Sequence, residues 1–325
     1  MIRVIVMAVI SCVLAALLGH FLLPVLRALK AGQSVRSIGP TWHNNKAGTP
    51  LMMGLMFIGS TLVCLLLNLP NTQEYSAIYV FVLAFCFGAI GFLDDYCKVR
   101  KKRDMGLTAI QKFLLQGAVS AVFLYVLYME GILTCDLYIP FFNVRFYIQP
   151  PVYLLFSMFI IVGTVNAVNL TDGIDGLSAS VTIPVMVFFV AVALKVNREE
   201  LAVLPGAMIG GLIAFLGLNW HPAKAFMGDT GSLFMGGVVC GLAYALDMPL
   251  VLIFAGFVYL METLSVILQV SYFKFTHGKR LFKMSPIHHH FEMSGWKEEK
   301  IVLTFAGVSA VMCVMAWLSI SGIVG

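Results

Sequence analysis

Long apolar stretches separated by short polar loops dominate this chain. A helix rises about 1.5 Å per residue, so about 20 apolar residues cross a hydrocarbon core of about 30 Å. On that basis the pattern predicts ten spans: 4–26, 51–69, 77–93, 113–129, 152–169, 177–194, 201–218, 233–246, 250–272 and 301–323. The eighth is the shortest and is rich in glycine. The first is too long for a cleavable signal and runs on into a basic loop, so it is expected to remain a span. Between the fourth and fifth spans, residues 137–148 alternate apolar and polar around Asn143, which predicts a small hairpin near 135–148 on the outer side. The expected fold class is an all-α integral membrane protein, a single polytopic domain over residues 1–325.

Composition supports that class. Hydrophobic residues make up 60% of the chain and charged residues 11%, against about 45–50% and about 25% in soluble domains. Soluble two-domain enzymes, disordered chains and disulfide-rich secreted modules are excluded. Seven cysteines, an odd number with no CxxC pair, imply neither a disulfide framework nor a zinc cluster. The net charge of +5 matters less than its placement. Loops 27–50, 94–112, 219–232 and 273–300, on the same side as the turn 170–176, hold 17 of the 21 basic residues. By the positive-inside rule these loops are cytoplasmic, and both termini are extracytoplasmic. No repeat of fixed period and no Walker A loop occurs, so ATP-driven pumping has no support. No nucleic-acid partner is expected.

Four polar clusters gather at the predicted cytoplasmic ends. The third span ends in Gly91-Phe-Leu-Asp94-Asp95-Tyr-Cys-Lys98. Two carboxylates at a helix C-terminus oppose the macrodipole and repel each other, so they need Lys98 or a bound cation. An ordinary solvated ion pair is the alternative. Next comes Asn166-Ala-Val-Asn169-Leu-Thr-Asp172-Gly173-Ile-Asp175-Gly, whose polar positions step by three and share a face wherever the backbone is helical. A helix–turn–helix with Asp172 as an N-cap explains one of these groups. The third cluster, Asn219-Trp-His-Pro-Ala-Lys-Ala-Phe226-Met-Gly228-Asp229-Thr-Gly-Ser, reads as a nest of backbone N–H groups opening a helix, or as a plain turn. An acid in such a nest repels phosphate unless a metal bridges them, and Mg²⁺ suits that role. The fourth is Ser285-Pro-Ile-His288-His289-His290-Phe-Glu292, expected as a loop offering imidazoles to a phosphate rather than a three-histidine zinc site. Glu262, inside the ninth span, must face protein or a cavity. Jointly the clusters point to a metal-dependent reaction on a phosphorylated substrate with a lipid partner.

These motifs, with Lys46-Ala-Gly-Thr-Pro and Lys112-Phe-Leu-Leu-Gln, resemble those of the polyprenyl-phosphate N-acetylhexosamine-1-phosphate transferase superfamily along nearly the whole chain. The triple histidine followed by Gly295-Trp-Lys-Glu is similar to the branch that uses a muramoyl-pentapeptide donor. The resemblance implies transfer of phospho-N-acetylmuramoyl-pentapeptide from UDP-MurNAc-pentapeptide to undecaprenyl phosphate, giving lipid I and UMP with Mg²⁺. It also implies a bacterial plasma membrane location and a homodimer. By position it makes Asp229 the Mg²⁺ ligand and Asp94 and Asp95 a catalytic pair, with Asp94 as base toward the lipid phosphate. Asn169, Asp172, Gly173, Asp175, Asn219 and Phe226 fall where the superfamily holds uridine, with Phe226 stacking on the base. Lys46, Lys98, Lys112, His288 and His289 match its phosphate lining. The competing readings are a GlcNAc-1-phosphate transferase of the same superfamily and, from another class, a lipid or solute transporter.

Overall fold

The computed structural model describes residues 1–29, 48–101 and 106–324. In chain order the helices are α1 (Ile2–Ala28), α2 (Leu55–Asn68), α3 (Ser76–Lys101), α4 (Ala109–Met129), α5 (Pro150–Thr171), α6 (Leu177–Lys195), α7 (Glu199–Asn219) and α8 (Gly228–Ala245). They continue with α9 (Leu252–Ala255), α10 (Phe257–Phe275), α11 (Ile287–Glu292), α12 (Glu298–Ser319) and α13 (Ser321–Val324). Strands β1 (Asp136–Ile139) and β2 (Val144–Tyr147) pair antiparallel with Asp136 opposite Tyr147. This is the hairpin read from the alternation. Its base is pinned by Asp247, which takes Arg145 at 2.8 Å and the Thr134 hydroxyl at 2.7 Å.

All ten predicted spans contain helix, but among the described residues seven helices are individually long and apolar enough to cross a membrane: α1, α3, α4, α5, α6, α7 and α12. The bent pair α9–α10 makes an eighth if it is counted as one span. The second prediction is too long at its start. Residues 51–54 are held to the loop before α8, with Phe226 N donating to Pro50 O at 2.8 Å and Met53 N to Phe226 O at 3.0 Å. That leaves α2 with 14 residues, about 21 Å of helix. The ninth prediction is not one straight helix. It bends by 83° at Gly256, which ends α9 and opens α10.

The eighth predicted span is the centre of the bundle. Every residue of α8 except Asp229 is buried, mostly against α3 and α5. A helix enclosed by other helices needs close packing more than a lipid-facing apolar surface, and small residues provide that. A Cβ on Gly236 would lie 2.7 Å from the Val165 Cα, and one on Gly237 would lie 2.6 Å from the Ala84 Cα. The converse holds for α1. It buries only a stripe of Val4, Ser11, Ala15, Gly19 and Leu26, and exposes Ile5, Val9, Val13, Leu17 and Phe21. That apolar exposure suits contact with lipid.

Candidate active site

The start of α8 brings the first three clusters together. Asp94 and Asp95 do not sit at a helix end as expected, because α3 continues to Lys101. The polar turns beyond them stay helical with Lys98 paired to Asp94 at 2.6 Å, an i,i+4 contact. Successive helical side chains diverge by roughly 100°, so the two acids meet different partners. Asp95 Oδ2 accepts from Thr230 N at 2.9 Å and from the Thr230 hydroxyl at 2.8 Å, while Oδ1 accepts from Asp229 N at 3.3 Å. The N–H nest predicted for phosphate is therefore filled from within: its anion is Asp95. Asp94 Oδ1 accepts from Leu107 N at 2.8 Å, which ties the α3–α4 loop to the site.

Asp229, the one α8 residue that is not buried, gathers the nearby lysines and an amide. Its Oδ2 meets Lys112 at 2.7 Å and Lys98 at 3.0 Å, and its Oδ1 receives Asn169 Nδ2 at 2.9 Å. Asn169 also donates to the Ser232 hydroxyl at 2.7 Å. Thus α3, α4, α5 and α8 each supply a polar side chain to one point. One oxygen from each of Asp94, Asp95 and Asp229 lies within 4.8 Å of the others, a set that could hold a metal ion. Hard carboxylate oxygens suit Mg²⁺. Asp95 is committed to capping, so Asp229 and Asp94 are the members of the set that fit a ligand role.

The Asn166-to-Asp175 run does not act as a single face. Asn166 turns to Gln116 Oε1 at 2.7 Å and away from Asp229. Only Asn169 reaches Asp229. Asp172 ends α5 as its C-cap, not as the N-cap of the next helix, which is Gly176. Burial, and then the negative charge of Asp229, Asp95 and Asp175, push the Asp172 carboxyl up to about 8. Asp175 belongs to a second group: its Oδ2 accepts from Ala223 N at 3.0 Å and lies 2.9 Å from His221 Nδ1, with Glu298 nearby. A cavity of roughly 600 Å³ opens there, lined by Thr49, Asp175, His221, Trp296 and Glu298 among others. Asn219 braces the same loop, accepting from Gly176 N and donating to Ala225 O, both at 2.9 Å.

The histidines form the short helix α11 rather than a loop. His288 is fully enclosed beside Gly173 and Glu262, and His289 pairs with Glu292 at 2.8 Å. Phe226 is half-buried and packs partly on the core, more than its loop position implied. Lys46 lies outside the described residues. Thr230 and Ser232 escaped the sequence reading although they bind Asp95 and Asn169. Their only signal was membership in the Gly-Asp-Thr-Gly-Ser run.

An apolar helical bundle with acids, lysines and an amide converging at one helix start defines a class: a membrane-type helical protein with a charged site able to hold a metal ion. The model of glycosyl transferase family 4 matches residues 77–247. Near-full-length similarity refines this. The phospho-N-acetylmuramoyl-pentapeptide-transferase of Clostridium acetobutylicum is 45% identical over 311 residues, covering 96% of this chain and 97% of that one. That of Caldanaerobacter subterraneus is 44% identical over 322 residues, covering 98% and 99%. That of Heliobacterium modesticaldum is 45% identical, covering 93% of each chain. The chain belongs to the phospho-N-acetylmuramoyl-pentapeptide-transferase family.

Proposed function

We propose that this enzyme transfers phospho-N-acetylmuramoyl-pentapeptide from UDP-MurNAc-pentapeptide to undecaprenyl phosphate, releasing UMP and forming lipid I. The observation that carries the proposal is the convergence of Lys98 and Lys112 on Asp229, with Asp94 alongside. A lipid phosphate has its second pKa near about 6 and is largely dianionic at neutral pH. Removing its last proton is a small task. Bringing it against a pyrophosphate is the larger one, and charge neutralisation with in-line positioning is the remedy.

In this reading Asp229 and Asp94 would hold Mg²⁺, which would supply charge neutralisation at the pyrophosphate. Lys98 and Lys112 move from the carboxylates toward phosphate oxygens as substrate enters, and the resemblance gives Lys46 a phosphate-binding role as well. Asp95 keeps the start of α8, and so Asp229, in place. Asn169 orients the Asp229 carboxylate. Asp94 assists the lipid phosphate as a base only where that phosphate is still monoanionic. The turn from Asp172 through Gly173 to Asp175, braced by Asn219, borders the uridine, and Phe226 stacks on the base. His289 flanks the phosphates, while His288, enclosed against Gly173, supports the turn from behind. A single displacement by the lipid phosphate needs no covalent enzyme intermediate.

The loop charges support ten crossings of a bacterial plasma membrane by one domain over residues 1–325, with both termini outside and the site facing the cytoplasm. The apolar face of α1 is available to lipid or to a second copy of the chain in a homodimer. The test is UMP release by purified protein from UDP-MurNAc-pentapeptide, with and without undecaprenyl phosphate and Mg²⁺. Release only with all three supports the proposal. Release from UDP-GlcNAc instead points to the related GlcNAc-1-phosphate reaction.

A further inference from the structure

Glu262 is an acid wholly enclosed in the apolar helix α10, and the roles above leave it unused. An ionisable group in such a place needs a named partner. Its Oε2 lies 3.0 Å from Nδ1 of His288, which is equally enclosed. The other ring nitrogen, Nε2, is buried and makes no hydrogen bond among the described residues. It rests on Gly173, where an added Cβ would collide with Nε2 and lie 2.6 Å from Cε1.

This packing selects a tautomer. A hydrogen on Nε2 would be a buried donor pressed against a CH₂ group with nothing to accept it. A bare Nε2 is also without a partner among the described residues, but it needs no room for a hydrogen against Gly173. The opposite tautomer would in addition set a bare Nδ1 lone pair against the Glu262 oxygen at 3.0 Å. The ring proton therefore sits on Nδ1 and is donated to Glu262 Oε2. Which ring nitrogen carries the proton is set by the hydrogen bond made at the other side of the ring. We propose that Glu262 is a positioning residue: by keeping the His288 proton on Nδ1, it seats the ring on Gly173 and fixes the turn from Asp172 to Gly176. Through that turn it acts on the nucleotide substrate, given the transferase reading above. Glycine at 173 is required because the ring occupies the space of a side chain.

The first measurement needs no substitution. Nitrogen-15 spectra of histidine-labelled wild type should include a residue with a protonated Nδ1 and a bare Nε2 that is lost in His288→Gln, while the signals of His221 and His289, whose Nδ1 atoms also face carboxylates, remain. A proton on Nε2 of His288 overturns the proposal. Kinetics supply the second measurement, with wild-type UMP release as the control for the transferase reading itself. Without that release the transferase reading fails, while the spectra still test the tautomer. Glu262→Gln keeps volume but lets an amide N–H face Nδ1, which permits the wrong tautomer. It should lower kcat/KM for UDP-MurNAc-pentapeptide by about 10- to 100-fold, since a displacement of about 1 Å in a positioning segment can cost about 10²-fold. The KM for undecaprenyl phosphate should stay within about twofold, since the perturbed turn is on the nucleotide side. Gly173→Ala should give the same pattern, and the double variant should be no worse than the poorer single, because both act through one contact. Unchanged kcat/KM in Glu262→Gln, equal effects on both substrates, or additive losses overturn it.

Discussion

Asp95→Asn tests whether the neighbouring acids of α3 have separate tasks. Both Asp95 oxygens accept hydrogen bonds from the first turn of α8: Asp229 N at 3.3 Å, Thr230 N at 2.9 Å and the Thr230 hydroxyl at 2.8 Å. Asparagine keeps one acceptor and turns an NH₂ toward donors at the other. A hydrogen bond to a charged group is worth about 1.5–3 kcal/mol, and the negative charge at the helix start adds about 0.3–1 kcal/mol. The expected destabilisation is therefore roughly 2–4 kcal/mol, concentrated at the residues that carry Asp229. Misplacing a reacting group by about 1 Å can cost about 10²-fold in rate. Asp95→Asn should therefore lower the melting temperature in detergent, accelerate hydrogen exchange at residues 229–232, and reduce kcat by about 10²-fold. A full loss of kcat with unchanged melting and unchanged exchange at those amides would refute the capping role. It would return Asp95 to direct contact with substrate or metal.

Asp229→Asn should abolish UMP release while the protein stays folded, because on the proposed reading it removes a metal ligand and with it several kcal/mol of charge stabilisation, each 1.36 kcal/mol being about tenfold. Activity near wild type at saturating Mg²⁺ would remove the assignment. Phe226→Ala should weaken binding of UDP-MurNAc-pentapeptide by about 5- to 150-fold, the equivalent of about 1–3 kcal/mol for a stacked base. Calorimetry showing unchanged affinity would exclude stacking. Asp94→Asn should be most impaired below about pH 6, where the lipid phosphate still carries a proton. Its deficit should shrink as pH rises and the dianion forms unaided. A deficit equal at pH 5.5 and 9 would leave Asp94 with an electrostatic or metal-binding role only.

Length and periodicity alone made the membrane helices legible, because a hydrocarbon core demands about 20 apolar residues from each lipid-facing span. The same logic placed the hairpin, whose alternation is local. It could not say that α8 lies at the centre, since burial among helices and burial in lipid select similar residues. Nor could it place the bend at Gly256 or the shortened start of α2, which depends on the pairing of residues 50–54 with a loop some 170 positions later. The acids, lysines and amides of the site were visible as motifs, because buried charges are rare and must have partners. What each does was not visible. Adjacent Asp94 and Asp95 look equivalent in a string of letters, and helical rotation then sends one to Lys98 and the other to the backbone of α8. The same limit hid Glu262 and His288, 26 positions apart, whose meaning as a pair exists only once α10, α11 and the Gly173 turn meet. A sequence states which groups must be sheltered, while the packing of distant segments decides which group shelters which.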